Sequence, residues 1–402
     1  MKRSLLTFIL IFPWMLLSAQ SNLGEIKWDN GMRIENPEKG YKIKFGGRIM
    51  LDGLSVSPEE NGVIDTIISS GSGVEFRRLR LFTAGQIYDN IRYKLQFDFA
   101  GGAGVLKDAY IMITKIPIIG NLQFGHFKEP IGLELLTSSK HIDFMERSLT
   151  NPLTPERNTG AMAFNQFGNK RLSWALGYFL PSDNFGSYEG GKFHLTGRIA
   201  GLPVYKTTDK YHVLHLGMSL THQYQNNSNY KLKSRPESHL TPIVVVAEID
   251  YAKAVNQVGA EVSWVYGPVS IQGEYIHANA LTSYKSTLQN CCYVFIAYYG
   301  YATLFVTGEH RNYKSSISAF DRVKPKKNFG KDGGAGAWEI AFRYSEIDLD
   351  DTDIHGGNLA NISVGVNWYL NPSTRLMFNY VLANVEGSGN INILQMRAQV
   401  DF

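Results

Sequence analysis

The sequence predicts an all-β chain: a transmembrane antiparallel β-barrel of about sixteen strands, eighteen being the alternative count, with an in-folded constriction loop. Three observations predict it. Apolar and polar residues alternate with period two along segments of about ten residues, the reach of a tilted strand across a bilayer. Aromatic residues gather near the ends of those segments, as in Trp264/Tyr266, Trp338 and Trp368/Tyr369. Beyond Gln20 no apolar run is long enough for a spanning helix, although the chain opens with an export leader.

The leader comes first in order. Lys2 and Arg3 precede the apolar run Leu5–Leu17, and Leu17-Ser18-Ala19 supplies a small-residue cleavage signature before Gln20. Residues 1–19 therefore read as a cleaved signal peptide, 20–40 as a short periplasmic segment and 41–402 as the barrel. Alternation is cleanest over Asn90–Phe99, where Ile91, Tyr93, Leu95, Phe97 and Phe99 oppose Arg92, Lys94, Gln96 and Asp98. Trp338–Tyr344 and Ile362–Leu370 repeat the pattern. So does the C-terminus, with Leu394, Met396, Ala398, Val400 and Phe402 opposing Gln395, Arg397, Gln399 and Asp401. A soluble sandwich alternates too, but its strands run to about five or six residues. Short turns (Asp89-Asn90, Gly168–Lys170, Asn371-Pro372-Ser373) alternate with longer polar loops (Ser55–Gly73, Gln223–Thr241), as short periplasmic turns alternate with long outer loops. About seventeen segments qualify as strands, and bacterial single-chain barrels are even-numbered, so one is surplus. The weakest is Ile243–Tyr266, whose run Ile243–Ala247 reads equally as in-folded loop.

Composition agrees. The 22 Tyr, 22 Phe and 39 Gly favour strands and tight turns. A net charge of +4 without a long Lys/Arg run speaks for small anions as partners and against nucleic acid. Cys291 and Cys292 are adjacent, which strains a mutual bridge, and no His or Cys stands near them at metal-ligand spacing. No cofactor or metal is expected. Enzyme signatures fail as well. Gly186, Gly191 and Lys192 have the spacing of a phosphate-binding loop, but Phe193 stands where Ser or Thr is needed and a strand follows. No G-x-S-x-G elbow is present, and His212 and His215 lie on opposite faces of a strand.

The polar faces carry cations. Arg78 and Arg80 share a face, as do Arg92 and Lys94 on the next strand, and Lys44, Arg48, Arg343, Arg375 and Arg397 sit likewise. A charge facing mid-bilayer lipid costs about 2–4 kcal/mol, so these residues belong in the lumen. Two readings stay open: a lining that selects anions, and a bland lumen in which Asp98, Glu339 and Asp401 balance the arginines. Arg77 alternates onto the lipid side and needs a bulge or a place beyond the hydrocarbon band. The stretch Phe127–Arg157, with Pro130, Pro152 and Pro155, breaks the strand rhythm and reads as the loop that folds inward to narrow the pore. The alternative for it is a surface loop.

Motifs along the mature chain resemble the phosphate-selective porin O and P family. They include Gly46-Gly47-Arg48, Phe76-Arg77-Arg78, Asp98-Phe99-Ala100-Gly101-Gly102, Lys107-Asp108-Ala109-Tyr110, Phe127-Lys128-Glu129-Pro130, Met145-Glu146-Arg147-Ser148, Trp264-Val265-Tyr266-Gly267-Pro268, Thr307-Gly308-Glu309-His310-Arg311 and the terminal Phe402. The Phe-Lys-Glu-Pro and Met-Glu-Arg-Ser pieces are the specific ones. The resemblance implies a homotrimer of barrels in outer-membrane lipid, with the terminal aromatic read by the barrel-assembly machinery. It implies an anion path near the constriction; by motif position this points to Arg77, Arg78, Asp98 and Lys128, with Lys140 and Arg147 beside them. Alternation adds Arg80, Arg92 and Lys94. The sequence departs from the family where its phosphate channels carry an arginine-rich in-folded loop, since Gln223–Thr241 offers Lys231, Lys233 and Arg235. The expected function is passive diffusion of small anions such as phosphate; the rival expectation is a plugged, structural or adhesive barrel.

Overall fold

Strand periodicity carries through the three-dimensional structure, a computed structural model describing residues 24–60, 62–182, 186, 190–208, 210–283 and 292–402. The leader and Cys291 lie outside the described residues. A hairpin of β1 (Glu25–Trp28) and β2 (Met32–Asn36) precedes the barrel. The wall then runs through β3 (Tyr41–Pro58), β4 (Gly71–Ile87), β5 (Ile91–Asp98), β6 (Val105–Ile116), β7 (Gly120–Lys128), β8 (Arg157–Phe167), β9 (Leu172–Leu180), β10 (Phe193–Lys206), β11 (His212–Ser234), β12 (Val245–Tyr266), β13 (Val269–Thr282) and β14 (Cys292–Phe305). A small hairpin, β15 (Asn312–Lys314) and β16 (Ala319–Asp321), intervenes before β17 (Ala337–Asp351), β18 (Ile354–Asn371), β19 (Thr374–Val385) and β20 (Gly389–Asp401). Each wall strand pairs antiparallel with the next, and β20 closes on β3 from Ile391↔Pro58 to Asp401↔Arg48. The wall is thus a closed sixteen-stranded barrel, and β1–β2 are two extra strands outside it.

The hairpin β1–β2 is legible as an edge cover. The last wall strand stops at Phe402, whose backbone exchanges bonds of 2.7 and 3.1 Å with Gly47. Below that point Tyr41–Phe45 of β3 would be left unpaired, and β2 takes the position from Met32↔Phe45 to Asn36↔Tyr41. A close approach also explains the glycines there. A Cβ on Gly47 would meet the Phe402 ring at 2.7 Å and the Arg80 carbonyl at the same distance.

Alternation sorts the wall as expected. On β17, Ile340 and Phe342 are about half exposed on the lipid side while Arg343 and Ser345 are buried in the lumen. Trp338 and Trp368 stack at 4.9 Å near the periplasmic rim, and Trp264 stacks on Tyr266 at 5.7 Å. Tyr369, expected in that girdle, turns inward and bonds Glu339 at 2.8 Å, because alternation sends it opposite to Trp368.

Two expectations about the outer end are corrected. Gln223–Ser234 is not loop but the far half of β11, and Val245–Ala247 begins a continuous 22-residue β12. Both strands overrun the bilayer, and the connecting loop shrinks to 235–244. The cause is apolar inward packing. Val245, Ala247, Ile249, Ile347, Leu349, Val381, Val385, Ile391 and Ile393 join one buried cluster inside the barrel mouth. There β18 packs across the lumen on β12: a Cβ on Gly356 would stand 2.8 Å from that of Ala247. One side of the mouth is therefore filled and dry, which displaces the open lumen toward β3–β8. No helix among the described residues is long and apolar enough to cross a membrane.

Candidate functional site

The loop between β7 and β8 enters the lumen, as its prolines suggested. Pro130 cannot donate to the sheet, so the strand ends there. Gly132 follows with φ +70°, and a Cβ on it would press 2.8 Å from the Glu274 carboxylate. That carboxylate accepts the N–H groups of Leu133 (3.0 Å) and Glu134 (2.6 Å), which starts the helical turn Leu133–Leu136. Leu133, Leu135, Ile142, Phe144, Met145, Leu149 and Leu153 are then buried against the wall.

Arginines of the far wall latch this loop. Arg375 donates to the Ile142 carbonyl at 2.9 Å, Arg343 to that of Glu146 at 3.1 Å, and Arg397 to that of Met145 at 2.5 Å. Arg343 also lies 4.1 Å over the Phe144 ring and pairs with Glu237 of the 235–244 loop. The three guanidiniums are among the largest fully buried side chains. They were expected as lumen cations, and alternation does face them inward. What stands in front of them is loop, not water.

Glu146 extends the latch along the same arc of wall to β4, two strands on from Arg397. Its carboxylate takes two bonds from Arg77 (2.7 and 2.9 Å) and one from Arg397 (2.9 Å), with Arg78 at 3.8 Å. Burial pushes the Glu146 carboxyl up, but Arg77, Arg78 and Arg397 outweigh it and hold the carboxyl well below the ordinary range. Arg77, which alternation alone sends to the lipid side, reaches the lumen through one of the two ways left open for it, a bulge. The β3–β4 register shifts between Met50↔Arg78 and Leu51↔Phe76, so Arg77 is a bulge residue and its side chain swings inward.

Between this loop and β3–β8 lies a cavity of about 460 Å³. Its lining includes nine cationic side chains, Arg48, Arg77, Arg78, Arg80, Lys94, Lys107, Lys128, Arg147 and Arg157, against Asp108 and Glu156. Several cations are neutralised. Arg80 pairs with Asp98 at 2.6 Å, and Asp108 takes both Lys94 (2.5 Å) and Arg157 (2.9 Å). Others are positioned without being neutralised. Lys128 and Arg147 converge on the carbonyls of Leu135 and Thr137. Arg48 donates to the Ser139 hydroxyl at 2.8 Å. Among the described residues Arg48, Lys107, Lys128 and Arg147 have no carboxylate within ion-pair distance. Carbonyl and hydroxyl dipoles fix Arg48, Lys128 and Arg147 without supplying a counter-charge.

Of the residues expected in the path, Arg77, Arg78, Arg80, Lys94, Lys128 and Arg147 line this cavity, and Asp98 stands behind Arg80. Two lie elsewhere. Arg92 lines a chamber nearer the periplasm. Lys140 pairs with Asp401 at 3.0 Å in another, and burial pushes it down to about 8 against the pull of Asp401. Sequence reasoning missed Lys107, Asp108, Glu156 and Arg157. Lys107 was invisible to alternation, which sends it to lipid. A second register shift, between Gln96↔Asp108 and Phe97↔Leu106, makes it a bulge residue too. Toward the outside, Arg77, Arg78 and Arg147 continue into a 250 Å³ vestibule that adds Lys233, Arg235 and His239.

A second in-folded segment was not anticipated. Residues 306–336 join β14 to β17 at the end where the other connections are short. Arg311 from this segment meets Asp143 of the outer loop at 2.9 Å, and the Phe320 N–H donates to the Thr137 hydroxyl at 3.4 Å. Tyr313 bonds His215 at 2.8 Å, so that inward histidine is a packing group while His212 accepts from Trp264 at the rim. The signal available was the interruption of alternation after Phe305.

Comparison with known proteins completes the picture. The family model for phosphate-selective porin O and P matches residues 46–402. Porin O of Pseudomonas aeruginosa is 25% identical, the match covering 91% of this chain and 88% of that protein. A Caulobacter vibrioides protein is 26% identical over 94% of this chain and 77% of its own length. In-vitro folded OmpT of Vibrio cholerae superposes with a TM-score of 0.55 at 13% identity, covering 94% of this chain and all of that one. The anion-selective porin from Comamonas acidovorans gives 0.53 at 10% identity, covering 90% and 100%. The outer membrane channel DcaP of Acinetobacter baumannii gives 0.51 at 12%, covering 90% and 98%. At these identities the superpositions speak for the fold.

Proposed function

This chain belongs to the phosphate-selective porin O and P family, an outer-membrane β-barrel that forms a porin channel, and from that premise we propose that its path prefers small anions, phosphate among them. One observation carries the reading: in a single cavity Arg48, Lys107, Lys128 and Arg147 face the lumen with no carboxylate partner among the described residues. Two unit charges about 4 Å apart interact by roughly 1 kcal/mol in bulk water and about 4 kcal/mol near protein surfaces. Four uncompensated cations therefore lower an anion's free energy by several kcal/mol and raise a cation's equally. Because loop dipoles hold Arg48, Lys128 and Arg147, these three need little reorganisation as an ion arrives.

The test is the reversal potential of a planar bilayer across a potassium chloride gradient, followed by block with inorganic phosphate. An anion-selective potential and a saturable phosphate block are expected. A cation-selective potential removes the proposal. A second reading, a plugged barrel, draws on the apolar cluster that fills one side of the outer mouth. Absence of conductance from refolded, inserted protein would favour it. Three further expectations belong to the same proposal: cleavage after Ala19, insertion by the barrel-assembly machinery reading Phe402, and assembly as a trimer. The mature mass, outer-membrane yield on deleting Phe402, and native gel mobility check them in turn.

A further inference from the structure

Below the cationic cavity the lumen widens into a chamber of about 650 Å³, and Tyr110, Gln123, Lys128, Leu136 and Met162 line both. The chamber wall is of a different kind. Met112 from β6, Met162 and Phe164 from β8, Pro130 and Leu136 from the outer in-folded loop, and Ile317 from the inner one line it. These are inward positions. Met162 is registered with Gln123, and Phe164 with Asn121, on the lumen face of β7–β8. Ile111 beside Met112 is 57% exposed on the lipid side, which turns Met112 inward. Ile317 is 51% exposed, although it sits on a loop folded into the channel.

Inward positions of a water-filled barrel are ordinarily polar, and apolar side chains left facing water gain nothing there. A small, strongly hydrated ion has no use for such a wall. A chamber that joins such apolar side chains to amides, hydroxyls and a few charges, here Arg92, Lys128, Arg198 and Lys314, is instead the usual make-up of an organic ligand site. Lys128 borders both compartments, so a bound anionic head and an apolar body fit side by side without a turn in the path. Arg92, also in the chamber, offers a cation toward the periplasmic end.

We propose that the solutes this channel favours are organic phosphate monoesters with a compact apolar substituent. The phosphate occupies the Arg48–Lys128–Arg147 side of the cavity, and the substituent rests on Met112, Phe164 and Ile317. This rests on the anion reading above and narrows it.

The experiment compares half-blocking concentrations of inorganic phosphate and phenyl phosphate on the chloride current of the full-length protein in planar bilayers. Phenyl phosphate is expected to block at about ten-fold lower concentration, a gain within reach of partial burial of one ring. Met112→Gln and, separately, Ile317→Asn are expected to bring the ratio toward one while the inorganic phosphate block stays unchanged. Ile317→Asn alters an exposed loop position, so it reads out even if the strand variant fails to assemble. Equal block by the two anions in the unaltered protein overturns the inference and leaves the anion reading standing. So does a ratio that neither substitution moves. If neither anion blocks and the reversal potential is cationic, the anion reading itself has failed and this inference with it.

Discussion

Replacing Glu146 by Gln separates the latch from the path more cleanly than any other change. The side chain keeps its size and one acceptor oxygen but loses the charge that Arg77 meets at 2.7 and 2.9 Å and Arg397 at 2.9 Å. Removing one partner of a buried ion pair costs about 3–5 kcal/mol. Here Arg397 retains Asp52 through bonds of 2.7 and 2.6 Å, and Arg77 is partly exposed, so the working figure is the low end, about 3 kcal/mol. At roughly 1.4 kcal/mol per decade, the undocked population of the Phe144–Ser148 stretch rises about a hundred-fold. Single-channel recording is the assay. Larger and noisier unitary currents are expected, with anion selectivity kept or increased, because the change adds one net positive charge beside the cavity. The pH dependence follows from the same carboxyl. Its value is lowered from 4.5, so the stabilisation is complete above that pH and is lost as pH falls through the depressed value. The unaltered channel should therefore stay quiet from pH 7 to about 4.5 and grow noisy only below, whereas Glu146→Gln is noisy throughout. A quiet Glu146→Gln channel of unchanged conductance would refute the latch.

Three other outcomes are expected. Lys128→Met and Arg147→Met each remove one unneutralised cation; at about 1 kcal/mol or more per charge, the half-blocking phosphate concentration should rise at least about five-fold, measured as current block. Deleting residues 309–335 removes the inner in-folded segment with its Arg311–Asp143 tie, and unitary conductance should increase in the same bilayer recording. Gly47→Val drives a side chain into the Phe402 ring, 2.7 Å from an ideal Cβ, and should lower the yield of heat-modifiable barrel on gels.

Much of this molecule is written in one dimension. Period-two alternation alone places Arg78, Arg80, Lys94 and Arg397 in the lumen and Phe342, Leu394 and Met396 in lipid, because successive strand residues point to opposite faces whatever surrounds them. Pro130 and the broken rhythm after Phe127 announce a long loop for the same local reason, with an inward course expected and a surface course as the alternative. Alternation cannot say what stands opposite an inward residue. Arg343, Arg375 and Arg397 read like Arg48 in the sequence, yet these three are buried under the loop's carbonyls while Arg48, tied to the loop through Ser139, borders the cavity, a difference set by contacts up to 252 positions apart. Bulges at Arg77 and Lys107 depend on registers between strands and invert the local rule. The filled side of the mouth arises only where β12 and β18 meet across the lumen. Local stereochemistry fixes which way a side chain points; the partner it finds there is a property of the closed barrel.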